Sequence, residues 1–209
     1  MPNREGSPLL LIATNNQGKI KELRALLRDM EIELVTPAQI NLDMDVIEDG
    51  ATYAENALKK ALAFARASGL ISLADDSGLE VDALDGAPGL YSARYGSPNG
   101  AKLSDAERRA FLIRNLLDKP RPWSARFRAT IAIAIPGGET HLAEGICEGE
   151  IIPEERGAGG FGYDPIFLLS EMGKTMAELS IEEKNRLSHR ARAVMNAKPI
   201  LERLFSEAG

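Results

Sequence analysis

The stretch "LLLIATNNQGKIKELRALL", Leu9 to Leu27, followed by "IELVT" from Ile32 to Thr36, decides the fold. Leu9 to Ala13 is an unbroken apolar run, as expected of a strand covered on both faces. Ile20, Leu23, Leu26, Leu27 and Met30 then recur at helical spacing, and Ile32 to Thr36 reads as a second strand. Strand, helix and strand in so short a span make a right-handed β-α-β unit with a parallel pair the default. The helix start is unusual. Lys19, Lys21 and Arg24 crowd an end that already carries partial positive charge and favours acidic neighbours. Backbone N–H groups at such a junction can hold phosphate oxygens. Asn15 and Asn16 suit the turn or an N-cap, Gly18 permits close approach, and Lys19 would complete an anion site. A capped helix with solvated lysines accounts for the same residues, so this stretch alone leaves both readings open. The GxxxxGK[ST] spacing is absent, which argues against a Walker A loop and a P-loop kinase.

Outward from that unit, Thr52 and Glu55 have capping-box spacing and open an Ala/Leu-rich helix that stops near Gly69. "LISLA", Leu70 to Ala74, reads as a short strand ending at "DDSG". Ser104 and Glu107 form a second capping box before a helix carrying Phe111, Leu112, Leu116 and Leu117. From Ala125, "ARFRATIAIAI" alternates, with Phe127, Ile131, Ile133 and Ile135 on one face. "PGG" then turns it into a partner strand near His141 to Cys147, an antiparallel hairpin. The glycine-rich "GAGGFGYD" precedes a strand "PIFLL". Ser180 and Glu183 make a third capping box, and Ser188 is placed to cap a final helix reaching Phe205, which Pro199 would kink or restart. Without internal repeats or a low-complexity linker, the expectation is one α/β domain with a mixed sheet over 9–209, after a disordered leader at 1–8.

Composition narrows the function. The net charge of −6 argues against a non-specific nucleic-acid binder but allows a local basic pocket for a small anion. Cys147 is the only cysteine, so no intrachain disulfide can form, and without a nearby His it reads as a buried side chain rather than a nucleophile. The N-terminal "MPNREGSP" lacks the apolar core of a signal peptide. No apolar run approaches the roughly 20 residues that span a bilayer. A soluble cytoplasmic protein with no membrane partner is expected.

Three further segments carry candidate chemistry. Asp75 and Asp76 follow an apolar strand, so they should emerge at a strand's C-terminal end, where ligands of α/β sheets gather. Adjacent carboxylates repel unless a cation is supplied, and hard oxygen ligands favour Mg²⁺ or Mn²⁺ over zinc. A turn in which Asp caps a backbone N–H is the alternative. Upstream, "DMDVIEDGATYAEN" offers Asp43, Asp45, Glu48, Asp49 and Glu55, one of which could complete a metal shell with Asp76. In "GGFGYD", Gly159 to Asp164, Phe161 and Tyr163 suit stacking on a flat base, or Phe161 tucks into the core. In "EEKNRLSHRAR", Lys184 shares no helix face with His189 and Arg190, but a new helix capped by Ser188 would put the last two in its first turn.

Taken together and in order, "IATNNQGKIKE", "VIEDGATYAENA", "ADDSGLEVDALDGAPGLYSARY", "GGFGYDPIF" and "MAELSIEEKNRLSHRARA" resemble the Ham1/inosine triphosphatase family of nucleoside-triphosphate pyrophosphatases, nearest its bacterial dITP/XTP branch. The resemblance runs from about Leu10 to Arg192. It implies an elongated mixed sheet flanked by helices in two lobes, a nucleotide cleft between them, and a homodimer. By resemblance, Thr14, Asn15, Asn16, Gln17, Gly18 and Lys19 match the triphosphate-binding turn. Asp76 matches the catalytic carboxylate and metal ligand, Glu48 the other acidic metal position, and Ser77 a substrate contact. Phe161, Gly162, Tyr163 and Asp164 match the nucleotide loop, Lys184 a substrate lysine, and His189 with Arg190 the segment at the base. Ala191 stands where many relatives have Gly.

The implied reaction is Mg²⁺-dependent cleavage of dITP, ITP or XTP to the monophosphate and pyrophosphate, with Mn²⁺ a possible substitute. Asp76, with Asp75 beside it, would orient or deprotonate the attacking water, while Lys19 and Lys184 would stabilise leaving-group charge. His189 and Arg190 are the candidate donors to the 6-oxo group. Two alternatives remain at this level: a Maf-like pyrophosphatase acting on pyrimidine or modified nucleotides, and a nucleotide sensor without turnover.

Overall fold

A computed structural model describes residues 7–97 and 103–207. Residues 1–6 of the expected leader lie outside the described residues, whereas Pro8 already offers its carbonyl to the Glu33 amide at 2.9 Å. The strands are β1 Leu9–Ile12, β2 Glu33–Val35, β3 Ile71–Val81, β4 Trp123–Ala134, β5 Thr140–Ile151, β6 Phe167–Leu169 and β7 Lys174–Thr175. The helices are α1 Gln17–Leu26, α2 Tyr53–Ser68, α3 Asp105–Leu116, α4 Ile181–Leu187 and α5 His189–Glu207, with short 3-10 turns between elements. The strands form a seven-stranded mixed sheet in the order β2-β1-β3-β4-β5-β6-β7. The chain divides into two compact units, Met1–Asp76 with Thr130–Glu144 and Ala193–Gly209, and Ser77–Ala129 with Gly145–Arg192.

The first unit opens with the expected β-α-β. β1 is parallel to β2, with Leu10 opposite Leu34, and parallel to β3, with Leu10 opposite Ile71. Leu10, Leu11 and Ile12 have no exposed surface, consistent with a strand covered on both faces. The core here joins Leu11, Ala13, Val35, Phe64 and a set of alanines, Ala57, Ala61, Ala65, Ala74, Ala132 and Ala134. Small side chains on both α2 and the sheet leave little between the two backbones, and that fixes the lateral position of α2. Thr52 caps α2 by accepting from the Glu55 amide, while the Glu55 carboxylate reaches the Ala51 amide rather than that of the cap.

The second unit has its own core, of Leu79, Val81, Leu112, Leu116, Trp123, Phe127, Cys147, Tyr163, Phe167 and Met176 among others. Both expected capping boxes in this unit form, Ser104 with Glu107 and Ser180 with Glu183. Burial pushes the Cys147 thiol up to about 11, in keeping with a packing role.

The structure corrects two readings. β3 does not stop at Ala74 but continues through Asp75, Asp76 and Ser77 to Val81. Its neighbour β1 pairs no further than Ile12 opposite Leu73, while Leu79 and Val81 supply the apolar faces that carry the strand on. The two aspartates therefore lie mid-strand yet beyond the end of β1. In β4 the stretch from Ala129 through Ala134 is buried on both faces, with Thr130, Ala132 and Ala134 on the face opposite Ile131 and Ile133. Pro199 lies inside α5 without ending it, on an exposed face where water can satisfy the carbonyl that loses its donor. Among the described residues no helix is long and apolar enough to cross a membrane.

Candidate functional site

Each unit gathers one group of the residues singled out above. In the first unit, Asn16 caps α1, its Oδ1 accepting from the Lys19 amide at 3.1 Å. Thr14 supports the turn by accepting from the Asn16 amide at 3.2 Å, and Gln17 bonds the Asn15 carbonyl at 3.3 Å. Asn15, Asn16 and Gln17 are exposed, with Thr14 and Gly18 half-buried, so the turn faces solvent. Lys19 is directed to β3: its Nζ donates to the Asp75 carbonyl at 3.1 Å and to Asp75 Oδ1 at 3.2 Å. That pairing explains how a lysine is tolerated at a helix N-terminus, because a buried carboxylate faces it.

Successive strand residues point to opposite faces. Asp76 accordingly turns away from Lys19's partner toward α2, where it meets a lysine that sequence reasoning missed. Lys60 Nζ donates to Glu48 Oε1 at 2.6 Å and to the Asp75 carbonyl at 2.8 Å, and lies 3.5 Å from Asp76 Oδ1. Burial by itself would push this ammonium down, but the charges of Asp76, Glu48 and Asp75 outweigh it and hold its pKa above the ordinary lysine value. Asp76 is raised above the ordinary aspartate value of 3.8, because burial outweighs the favourable charges of Lys60 and Lys19. Asn56, one turn before Lys60, hydrogen-bonds Asp76 and accepts from the Gly50 amide at 2.7 Å, tying the loop that carries Glu48 to the same spot. A signal for both was present: Asn56 and Lys60 interrupt the apolar stripe of Tyr53, Ala57, Ala61 and Phe64, and a polar side chain on a buried face needs a buried partner.

Among the described residues no group of three or more His, Cys, Asp and Glu forms a ready metal cage. The two carboxylates nevertheless fit a hard divalent ion. Glu48 and Asp76 come from separate segments and converge on one ammonium, and Mg²⁺ typically takes one or two carboxylates, with water and phosphate oxygens as its other ligands. Of the acidic residues upstream, Glu48 is the one that reaches this centre, while Asp49 pairs with Lys59 and Glu55 accepts from the Ala51 amide.

In the second unit, α4 ends at Leu187 and Ser188 begins α5 by accepting from the Ala191 amide at 3.1 Å. Ala191 is thus an ordinary buried helical residue. His189 and Arg190 fall in the first turn of α5, as the capping reading requires. Arg190 is 2% exposed, and its Nη2 donates to Ser77 Oγ at 2.9 Å. The His189 ring stacks on Phe127, 4.7 Å between centroids and 16° between planes. Lys184 Nζ donates to Asp164 Oδ2 at 2.6 Å, and the same oxygen accepts from the Phe161 amide at 2.9 Å. A Cβ at Gly160 would overlap that carboxylate, and φ there is +71°, so glycine is required on both counts. Lys184 and Arg190 stand 5.4 Å and 5.7 Å from the Phe161 ring centre. The two aromatics of the loop part company: Phe161 stays partly exposed beside these cations, whereas Tyr163 is buried, with its hydroxyl donating to the Ser92 carbonyl at 2.9 Å.

Comparison with known proteins follows the same lines. A family model described as the Ham1 family matches residues 10–200. A protein of Desulforamulus reducens named dITP/XTP pyrophosphatase is 50% identical over 197 residues, covering 94% of this chain and 96% of the relative. The solved HAM1 protein of Coxiella burnetii superposes with a TM-score of 0.82 at 39% identity, covering 94% of this chain and 99% of that one. The Staphylococcus aureus Ham1 protein gives 0.80 at 40% identity over 93% of this chain and 98% of that one.

Proposed function

The chain belongs to the Ham1 family, and from that premise we propose that it hydrolyses non-standard purine nucleoside triphosphates, dITP, ITP and XTP, to the monophosphate and pyrophosphate. The observation that carries the reading is the meeting of Glu48 and Asp76 on the Lys60 ammonium beside the Lys19–Asp75 pair. Alternating carboxylates and ammonium groups in one small space suit a polyanion that arrives with a divalent cation. A phosphate binder without a metal would gain nothing from those carboxylates, which is the argument against a sensor.

Glu48 and Asp76 would hold Mg²⁺, which when bound neutralises phosphate charge. The chain's own residues do the rest. Asp76, buried and with its pKa raised, is suited to orient a water and accept its proton. Lys19 Nζ and the Gln17 and Gly18 amides that open α1, ahead of the Lys19 amide already capped by Asn16, hold phosphate oxygens. Lys60 holds Glu48 and Asp76 together before substrate arrives. In the second unit, Phe161 offers a face for the base, and Arg190 with His189 supplies donors for a 6-oxo group. Lys184, neutralised by Asp164, adds a donor next to the ring. An adenine amino group would leave such a donor unpaired, at a cost of about 1–3 kcal/mol. Assembly as a homodimer belongs to the same reading.

The test is pyrophosphate release across dITP, ITP, XTP, dATP, dGTP, dTTP and UTP, with Mg²⁺ or with chelator. Turnover of the 6-oxo purines that stops on chelation is expected. Preference for dTTP or UTP would favour the Maf-like alternative, and binding without release would favour a sensor.

A further inference from the structure

We infer that Asp105 and Arg109 of α3 are positioning residues for base recognition, because they hold the amide and the carbonyl of Gly162, and with them the two peptides that flank its Cα, and so set the orientation of Phe161. The inference rests on the reading of the Phe161 loop as the base-binding loop. The Gly162 amide donates to Asp105 Oδ2 at 2.6 Å, and Arg109 Nη1 donates to the Gly162 carbonyl at 2.8 Å. The two side chains are one helical turn apart and share a face. Arg109 is itself immobilised, its Nε and Nη2 each donating at 2.8 Å to one oxygen of Glu155. Such a two-pronged pair fixes the plane of the guanidinium as well as its position. Asp105 is held in turn by an ion pair with Arg108.

The loop needs an external grip. Gly157, Gly160 and Gly162 all have positive φ, at 82°, 71° and 61°, a composition that by itself leaves the backbone many alternatives. Two carboxylates from different elements remove them around Phe161. Asp164 takes the amide of Phe161 and Asp105 takes the next one, so the peptides on either side of the ring are both held. The ring then keeps its place beside Lys184 and Arg190. Neither Asp105 nor Arg109 is required by the core of α3, which rests on Leu112 and Leu116. Arg109 and Glu155 also line a surface depression of about 340 Å³ with Ile113 and Pro153, so shortening Arg109 widens an existing hollow instead of opening a sealed void.

Steady-state kinetics of Arg109→Ala and Asp105→Ala on dITP and XTP, with dATP as the comparator, test the inference. Both variants should raise KM by about tenfold, more than they lower kcat, and both should reduce the preference for dITP over dATP. Asp105→Asn, whose amide oxygen still accepts from Gly162, should lose less than Asp105→Ala. Hydrogen exchange at the Gly162 amide should quicken in Asp105→Ala. A folded Asp105→Ala with the parent's KM, preference and exchange rate would overturn the inference alone. An unsubstituted protein that releases no pyrophosphate from any purine triphosphate would instead overturn the function it rests on, and the inference with it.

Discussion

Lys60 donates to Glu48 Oε1 at 2.6 Å, joining the middle of α2 to a loop residue twelve positions upstream. The same ammonium bonds the Asp75 carbonyl and stands beside Asp76, so one cation organises three segments of the first unit.

Replacing it with an apolar side chain should therefore be costly. Lys60→Met leaves Asp76 without its nearest counter-charge, and breaking a buried pair from one side costs about 3–5 kcal/mol. The lower end is expected, since Glu48 is 35% exposed and keeps access to water. Thermal unfolding in chelator should show the loss, and added Mg²⁺ should restore more stability to the variant than to the parent. Equal Mg²⁺ effects in both would separate the metal from these carboxylates.

Asp76→Asn should abolish turnover while leaving nucleotide affinity within about tenfold of the parent, because the side chain keeps its shape but can no longer accept a proton or hold a metal as a carboxylate. Pyrophosphate release together with equilibrium binding of dITP checks this. Retained turnover would remove Asp76 from the chemistry.

The same substitution has a predictable effect on stability. Burial raises the Asp76 pKa above 3.8, so in the metal-free protein the ionised side chain opposes folding at neutral pH. That penalty is fully present above the folded pKa and fades as pH falls through it to 3.8, below which the carboxyl becomes neutral in the folded and unfolded chain alike. Asp76→Asn should accordingly melt higher than the parent in chelator at neutral pH, by about 2–4 °C for each kcal/mol relieved. The gap should close as the solution is acidified. A gap that widens in acid would reverse the assigned sign.

Gly160→Ala tests the anchor shared by Phe161 and Lys184. The added Cβ would displace the Asp164 carboxylate and strain a left-handed backbone, at about 1–3 kcal/mol for the backbone alone. KM for dITP should rise by about tenfold or more while Mg²⁺ affinity, set in the other unit, stays put. A loss of Mg²⁺ affinity equal to the loss in KM would argue against separate roles for the two groups.

What could be seen in the sequence was local. The opening β-α-β, the Asn16 cap, the boxes at Ser104 and Ser180, and the new helix at Ser188 depend on hydrophobic period and on hydrogen bonds spanning a few residues, so neighbouring letters suffice to determine them. The acidic pair at Asp75 and Asp76 was legible as a candidate site because an apolar strand led into it. Packing decided what local order could not. β3 runs on past the aspartates because Leu79 and Val81 find a core beyond them. Lys60 and Asn56 became candidate site residues only when α2 was set against the sheet, and Arg190 found Ser77 across 113 residues of chain. Tyr163 and Phe161, alike in a glycine loop, separated in the fold: Tyr163 is buried with its hydroxyl on the Ser92 carbonyl, while Phe161 stays partly exposed beside Lys184 and Arg190. A buried charge or polar group takes its role from its partner, and which partner lies within a few ångströms is fixed by the folded chain rather than by the order of its residues.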